Sequence, residues 1–343
     1  MTSALPVPVP VLWLYGPAGV GKSTAAWELF TRLSADGVSV AHVDIDQLGM
    51  CYGPPTPQDW SPEPDDDPVR YRLKAVNLDA VAANAREAGA AGLIVSGIVD
   101  PERGIDTDLL PNAALTAIRL RAEPEEIRRR LAVRARPDEP VDEILRDAAA
   151  LDREDFPGNG SSGDMCIDTT GLGVEAVLEQ ILQHAEGWLT VRAEVTARTA
   201  RDDVTDVTAA RTGGSIIWLC GPRPAGLSAV GFQVYRQLRL AGSRAAYLDL
   251  EQVGFLRPER VAHPGNHRFK AANLASAWRG FRASGADCLV AVGEVEEPDA
   301  EAAYTAALPQ VDLAACRASL DPGGRPADEL AREILAKITV PHP

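Results

Sequence analysis

Short apolar runs punctuate the chain at residues 11–15, 39–43, 92–96, 115–120 and 164–168, each of a length suited to one buried strand. Between them the period changes. After the first run, Ala26, Leu29, Phe30 and Leu33 recur at helical spacing, and residues 174 to about 188 form another helical pattern. Strands alternating with helices predict an α/β fold: a parallel sheet in a three-layer α/β/α sandwich, with ligands beyond the carboxyl ends of the strands.

The pattern returns in the second half of the chain. At an offset of 205, Trp13, Gly16, Pro17, Gly21 and Ser23 fall on Trp218, Gly221, Pro222, Gly226 and Ser228, and "HVDIDQLGM" from residue 42 lies on "YLDLEQVGF" from residue 247. At an offset of 196, "LKAVNL" lies on "FKAANL", with Gly89 on Gly285 and Gly97 on Gly293. At 153, "DTTGLGVEAVLEQIL" meets "DPGGRPADELAREIL". Two tandem copies of one unit follow, the second shorter by nine residues in one gap and by 43 in the next, a loss long enough to take a strand with it. The expected domains are 1–190, with a lid at about 122–163, and 214–343. The stretch 191–213 between them is rich in Thr, Arg and Asp, has no sustained apolar face and reads as a linker.

Composition narrows the class. A chain of 343 residues that is 45% hydrophobic has the length for two domains and the apolar content for real cores. Its net charge of −15 argues against nucleic acid as a partner, because phosphate backbones attract basic surfaces. No apolar run approaches membrane-spanning length, so no membrane partner is expected, and nothing at the start resembles a signal peptide. The five cysteines are scattered without C-x-x-C spacing, and reduced thiols of a cytoplasmic protein are the simplest reading.

The chemistry concentrates at "VLWLYGPAGVGKST", residues 11–24. Gly16, Gly21, Lys22 and Ser23 stand at the full spacing of a phosphate-binding loop, after a strand and before a helix. Backbone N–H groups of Gly16, Ala18, Gly19, Val20 and Gly21 would close on phosphate oxygens, with Lys22 neutralising the β- and γ-phosphates. Ser23 would ligate Mg²⁺, and Thr24 completes the nucleotide-binding stretch. The second strand ends in Asp44-Ile45-Asp46, where one carboxylate could hold Mg²⁺, Asp44 for preference, and the other could take the acceptor's proton. Which of the two is the base stays open. A proline-rich loop, 51–68, suits an acceptor pocket or lid; Tyr52 and Trp60 could stack on a substrate, although anchoring the loop is the plainer role. Arg70 and Lys74 open the next helix and are substrate-contact candidates, Lys74 equally a structural ion-pair partner. The third strand carries Ser96 where many nucleotide-binding proteins place an acid, with Asp100 a weaker candidate beyond it. Seven arginines lie between 119 and 136; Glu125–Arg129 and Glu126–Arg130 have (i, i+4) spacing, whereas Arg134 and Arg136 lack such partners and suit a phosphate clamp. Arg130 could instead cover the base.

Together "GPAGVGKST", "DID", "PEEIRRRLAVRARP" and "IDTTGLGVEAVLEQIL" resemble the P-loop small-molecule kinases of nucleoside-monophosphate-kinase-like fold, among them adenylylsulfate, gluconate and shikimate kinases and chloramphenicol phosphotransferase. The resemblance covers about residues 10–187. It implies ATP and Mg²⁺ as cofactors, an acceptor-hydroxyl contact at Asp46 or Asp44, and phosphate contacts at Arg130, Arg134 or Arg136; it does not indicate the acceptor or decide ATP against GTP. In the second copy Leu227 replaces the lysine, Pro224 replaces a glycine, and the 43-residue gap falls on the arginine lid. Asp249, Glu251, Lys270 and Asn273 persist. That copy is expected not to transfer phosphate and to pair with the first within the chain, in place of or alongside a homodimer. The expected function is ATP-dependent phosphorylation of a hydroxyl on a small molecule. The alternative is a nucleotide-switched ATPase or regulatory module acting on a protein through the second copy.

Overall fold

The computed structural model describes residues 7–55, 69–134, 141–153, 165–190, 214–220, 226–259, 264–295, 298–309, 317–319 and 325–337. In chain order its principal elements are β1 (Val9–Tyr15), α1 (Lys22–Ala35), β2 (Val40–Asp44), β3 (Cys51–Tyr52), α2 (Val69–Glu87), β4 (Gly92–Gly97), β5 (Ala113–Arg121), α3 (Pro124–Arg134), α4 (Val141–Leu151), β6 (Met165–Asp168) and α5 (Val174–His184). There follow β7 (Ser215–Cys220), α6 (Leu227–Leu240), β8 (Ala245–Asp249), β9 (Phe255–Arg257), α7 (His267–Ala283), β10 (Cys288–Val292), α8 (Pro298–Ala307), β11 (Arg317–Ser319) and α9 (Ala327–Lys337).

Two compact units form, and neither is a continuous stretch. Unit 1 is Met1–Asp46, Leu78–Arg198 and Phe255–Glu259; unit 2 is Gln47–Asn77, Thr199–Gly254 and Arg260–Pro343. The expected cut was sequential. The units interleave instead because two short strands are exchanged: β3, from the first half, ends the sheet of unit 2, and β9, from the second half, ends that of unit 1.

Unit 1 holds a six-stranded sheet in the order β6-β5-β1-β4-β2-β9, parallel except where β9 runs against β2. All but one residue of β1 is buried, as a central strand covered on both faces requires. Its neighbours, β4 and β5, both come later in the chain, so the strand order reverses at β1. Helix α1 places Ala25, Ala26, Leu29 and Phe30 inward and stops at Gly37, whose φ of 81° only glycine adopts freely. The core joins Leu12, Leu14, Phe30, Ile94, Leu120 and Ile181. Unit 2 has the order β11-β7-β10-β8-β3, parallel except for β3. Among the described residues nothing stands beyond β11 in the place β6 takes beyond β5.

The exchanged strands obey the 205-residue offset in register. Leu256 lies opposite Ala41 and Arg257 opposite Val40. Their overlay partners repeat the pairing, with Cys51 opposite Ala246 and Tyr52 opposite Ala245. Residues 51–52 are therefore strand rather than open loop, and Tyr52, fully buried in the core of unit 2, is an anchor and not a stacking surface. Trp60 lies outside the described residues.

Strand β9 also brings Phe255 into an aromatic cluster of unit 1, with ring centroids 4.8 Å from Trp27 and 5.9 Å from His42. His42 is buried, its Nε2 3.4 Å from the Ser96 hydroxyl, and burial lowers its pKa to about 4. An unfolded chain protonates this imidazole near pH 6.5, so stability is full above that value and falls as pH drops towards 4. Replacing His42 with Phe is expected to remove this component, at most about 3 kcal/mol, from the acid-side loss. Urea titrations of both proteins between pH 7 and pH 4 measure it; parallel pH profiles would refute it.

Candidate active site

The loop between β1 and α1 is built on backbone proximity. Gly16 has φ of 139°, and a Cβ there would fall on the carbonyl oxygen of Leu120 in β5. Gly19 and Gly21 follow at φ of 88° and 96°. A Cβ on Gly19 would come within 3.3–3.4 Å of Ile127 and Leu131, so α3 packs directly on the loop. Lys22 is buried at the first turn of α1, and its Nζ donates to the carbonyl of Pro17 at 2.7 Å. The ammonium is thus turned back onto the backbone of the loop that precedes its own helix. Ser23 and Thr24 are exposed beside it at the positive end of the helix.

At the end of β2 the carboxylate of Asp44 accepts the backbone N–H of Asp46 at 2.9 Å, a local turn that sets where Asp46 begins the following 3-10 turn. Both aspartates are half-buried. Gly97 clears the way, since a Cβ there would strike Ile45. Ser96 lies opposite Asp44 on the neighbouring strand. Asp100 caps its own turn, accepting the amides of Glu102 and Arg103 at 2.8 and 3.1 Å.

Helix α3 divides its arginines. Arg128 pairs with Glu125 at 2.7 Å and Arg129 with Glu126 at 2.7 Å, both one residue shorter in spacing than the expected Glu125–Arg129 pair. The Glu126–Arg130 pair does form, at 2.7 Å. Hydrogen bonds from Arg129, then Arg130, hold the Glu126 carboxyl at about 2. Arg130 also donates to the Thr169 hydroxyl at 2.9 Å, the Thr169 carbonyl at 2.6 Å and, at 3.4 Å, the Gly19 carbonyl. It bridges the backbone of the glycine loop and the turn after β6. Arg134 is exposed at the end of α3, and Arg136 lies outside the described residues. Thr169 and Glu126 were not foreseen as site residues; the only signal for Glu126 was its spacing from Arg130. On β5, Arg119 bonds the Leu151 carbonyl and Asp152, which ties down the end of α4.

Arg70 and Lys74 belong to unit 2. Both are buried, Arg70 against Tyr71 and Lys74 with its stem against Gly49. In the overlay position Lys270 likewise packs on Gly254, and its Nζ meets Glu251 at 2.6 Å. In unit 2 the first residue of α6, Leu227, packs against the core, whereas its counterpart Lys22 reaches the loop carbonyl. Ser228 donates to Asp249 at 2.6 Å, and the Asp249 carboxylate accepts the Glu251 amide at 2.9 Å as Asp44 accepts that of Asp46. Pro224 lies outside the described residues. Among the described residues no group of three or more His, Cys, Asp and Glu gathers in a metal-holding arrangement, and no helix is long and apolar enough to cross a membrane.

No protein-family model matches the chain, and no curated protein does. Among solved structures it is similar to the tunicamycin resistance protein of Deinococcus radiodurans, with 24% identity, 52% of this chain and 96% of that one covered, and a TM-score of 0.35. A gluconokinase from Sinorhizobium meliloti 1021 shares 17% identity over 52% of this chain and 92% of its own, with a TM-score of 0.35. The protein APE1195 shares 18% over 55% and 99%, with a TM-score of 0.31.

The two backbone demands of the loop separate by mutation. Gly16→Ala meets a backbone oxygen and is expected to cost about 3 kcal/mol or more. Gly21→Ala, with nothing within 4 Å of its Cβ, pays only for the left-handed conformation, about 1 kcal/mol. Denaturant titrations that ranked the two equally would contradict this account of the loop.

Proposed function

We propose that unit 1 is an ATP- and Mg²⁺-dependent phosphotransferase acting on a hydroxyl group of a small molecule. The observation that carries this reading is the buried Lys22 at the foot of α1, closing a glycine loop at the carboxyl end of the strand where the sheet order reverses. Lys22 would neutralise the terminal phosphates, and the loop amides would cradle them. Mg²⁺ suits the donors present, a hydroxyl and a carboxylate, since it keeps several waters and phosphate oxygens as its other ligands. The residues that would hold it are Ser23 and Asp44, and when bound it supplies charge neutralisation to the transferring group. Their overlay partners in unit 2, Ser228 and Asp249, stand 2.6 Å apart, which supports placing the two positions within reach of one ion. With Asp44 committed to the turn, Asp46 is the group that would take the acceptor's proton. Arg134, at the end of α3, would meet the transferring phosphate, and Arg136, outside the described residues, is proposed for the same role from its place in the sequence.

Unit 2 we read as a second copy that no longer transfers phosphate. Its register-matched strand exchange, its Asx turn at Asp249 and its Lys270 position support common descent with unit 1. The direct Ser228–Asp249 bond and the inward Leu227 support loss of the phosphate site. Strand exchange supports halves that fold as a pair, in place of or alongside a homodimer. The absence of an acid at Ser96 favours one other reading, a nucleotide-switched module whose turnover a protein partner sets.

In assays of ATP consumption against a library of small hydroxyl compounds, wild type is expected to turn over only with a particular acceptor. Lys22→Ala should lower kcat/KM by about 10³-fold or more. Asp46→Asn should lower kcat by about 10²–10³-fold while the affinity for Mg²⁺·ATP stays within about twofold. Acceptor-independent turnover, or activity untouched by both changes, would favour the switch.

A further inference from the structure

The buried hydroxyl of Thr169 has no place in the chemistry above, yet it lies at a crossing of three chain segments. Its Oγ1 is 3.1 Å from the Val20 carbonyl in the phosphate loop and 3.0 Å from the Arg121 carbonyl at the end of β5, and it accepts Arg130 Nη1 at 2.9 Å. The hydroxyl carries one hydrogen. The Arg121 carbonyl already accepts the Thr169 amide at 2.9 Å, so the hydrogen is best spent on Val20, whose carbonyl lies in a buried stretch. Arg130 completes the frame: Nε on Glu126, Nη1 on Thr169 Oγ1 and the Gly19 carbonyl, Nη2 on the Thr169 carbonyl.

We propose that Thr169 is a positioning residue of the nucleotide site, its hydroxyl locking the Gly19–Val20 turn of the phosphate loop to Arg130 and to the turn after β6. It touches no reacting atom. It sets the carbonyls of Gly19 and Val20 facing away from the cradle, so that the amides of the same peptide units face into it before any ligand arrives, and it fixes the turn after β6 to the same frame. Glu126 serves the arrangement at one remove by orienting the Arg130 guanidinium. The proposal rests on the nucleotide reading of unit 1, and its own readout does not need nucleotide.

Thr169→Val keeps the shape and removes the hydroxyl; Thr169→Ser keeps the hydroxyl. In the ligand-free full-length protein, hydrogen exchange of the amides of residues 16–22 should quicken by about tenfold in Thr169→Val and stay within about threefold of wild type in Thr169→Ser. Titration with Mg²⁺ and a non-hydrolysable ATP analogue should show about tenfold weaker binding for Thr169→Val, with near wild-type affinity for Thr169→Ser and an unchanged KM for the acceptor. Should Thr169→Val not fold, Arg130→Met breaks the same frame from its more exposed side and should quicken the same amides. Wild-type exchange in both variants overturns the proposal. So does quickened exchange with unaltered affinity, or a serine variant as impaired as the valine. If wild type itself binds no Mg²⁺·ATP analogue, the phosphotransferase reading falls, and the positioning role falls with it even where the exchange data show the lock.

Discussion

The site in unit 1 depends on one approach of backbone to backbone, Gly16 against the carbonyl of Leu120. Because β1 and β5 are adjacent parallel strands, the chain leaving β1 must clear the end of β5 before it can turn into α1. Only a residue without Cβ, at positive φ, passes there. The turn that follows is consequently tight and lies under α3, where Ile127 and Leu131 close over Gly19. Lys22 can then reach back to the carbonyl of Pro17 and leave its charge inside the turn instead of in solvent. Loop shape, charge placement and the seat of α3 are thus one constraint expressed at three positions.

A second constraint acts at the sheet edges. A parallel sheet ending at β2 or at β8 would present an unpaired row of backbone donors and acceptors. Each edge is covered by a short antiparallel strand supplied by the other half of the sequence, and the registers match under the internal offset. The covering strand brings more than hydrogen bonds. In unit 1 Phe255 joins Trp27, Phe30 and His42; in unit 2 Tyr52 enters the core beside Tyr235 and Tyr247. The interleaved units follow from this exchange, and a division of the sequence at its linker would have removed one core aromatic from each.

Much of unit 1 was legible because its signals are local. Five strands show as apolar runs, α1 shows its period, and the glycine loop between β1 and α1 is written in eight consecutive residues. The exchange was not legible, since strands of two and three residues carry no periodicity, and the proline-rich stretch after Tyr52 directs attention to loop chemistry. Thr169 was missed for a different reason. Its meaning lies in Val20 and Arg130, 149 and 39 residues away, and a threonine after a strand reads as an ordinary turn residue. The Glu125–Arg129 spacing was legible but incomplete, because an arginine three residues on competes equally for the same carboxylate, and Arg128 takes it.

The two units finally differ at one position that changes what surrounds it, the first residue of the helix that follows the glycine loop. With a lysine at the first turn of α1, unit 1 holds a buried positive charge there, bonded to the carbonyl of Pro17. With Leu227 there, no such charge remains at that position, and a buried carboxylate needs a donor. Ser228 supplies it at 2.6 Å to the counterpart of Asp44. A closed serine–aspartate pair thus satisfies the buried Asp249 carboxylate where no lysine stands.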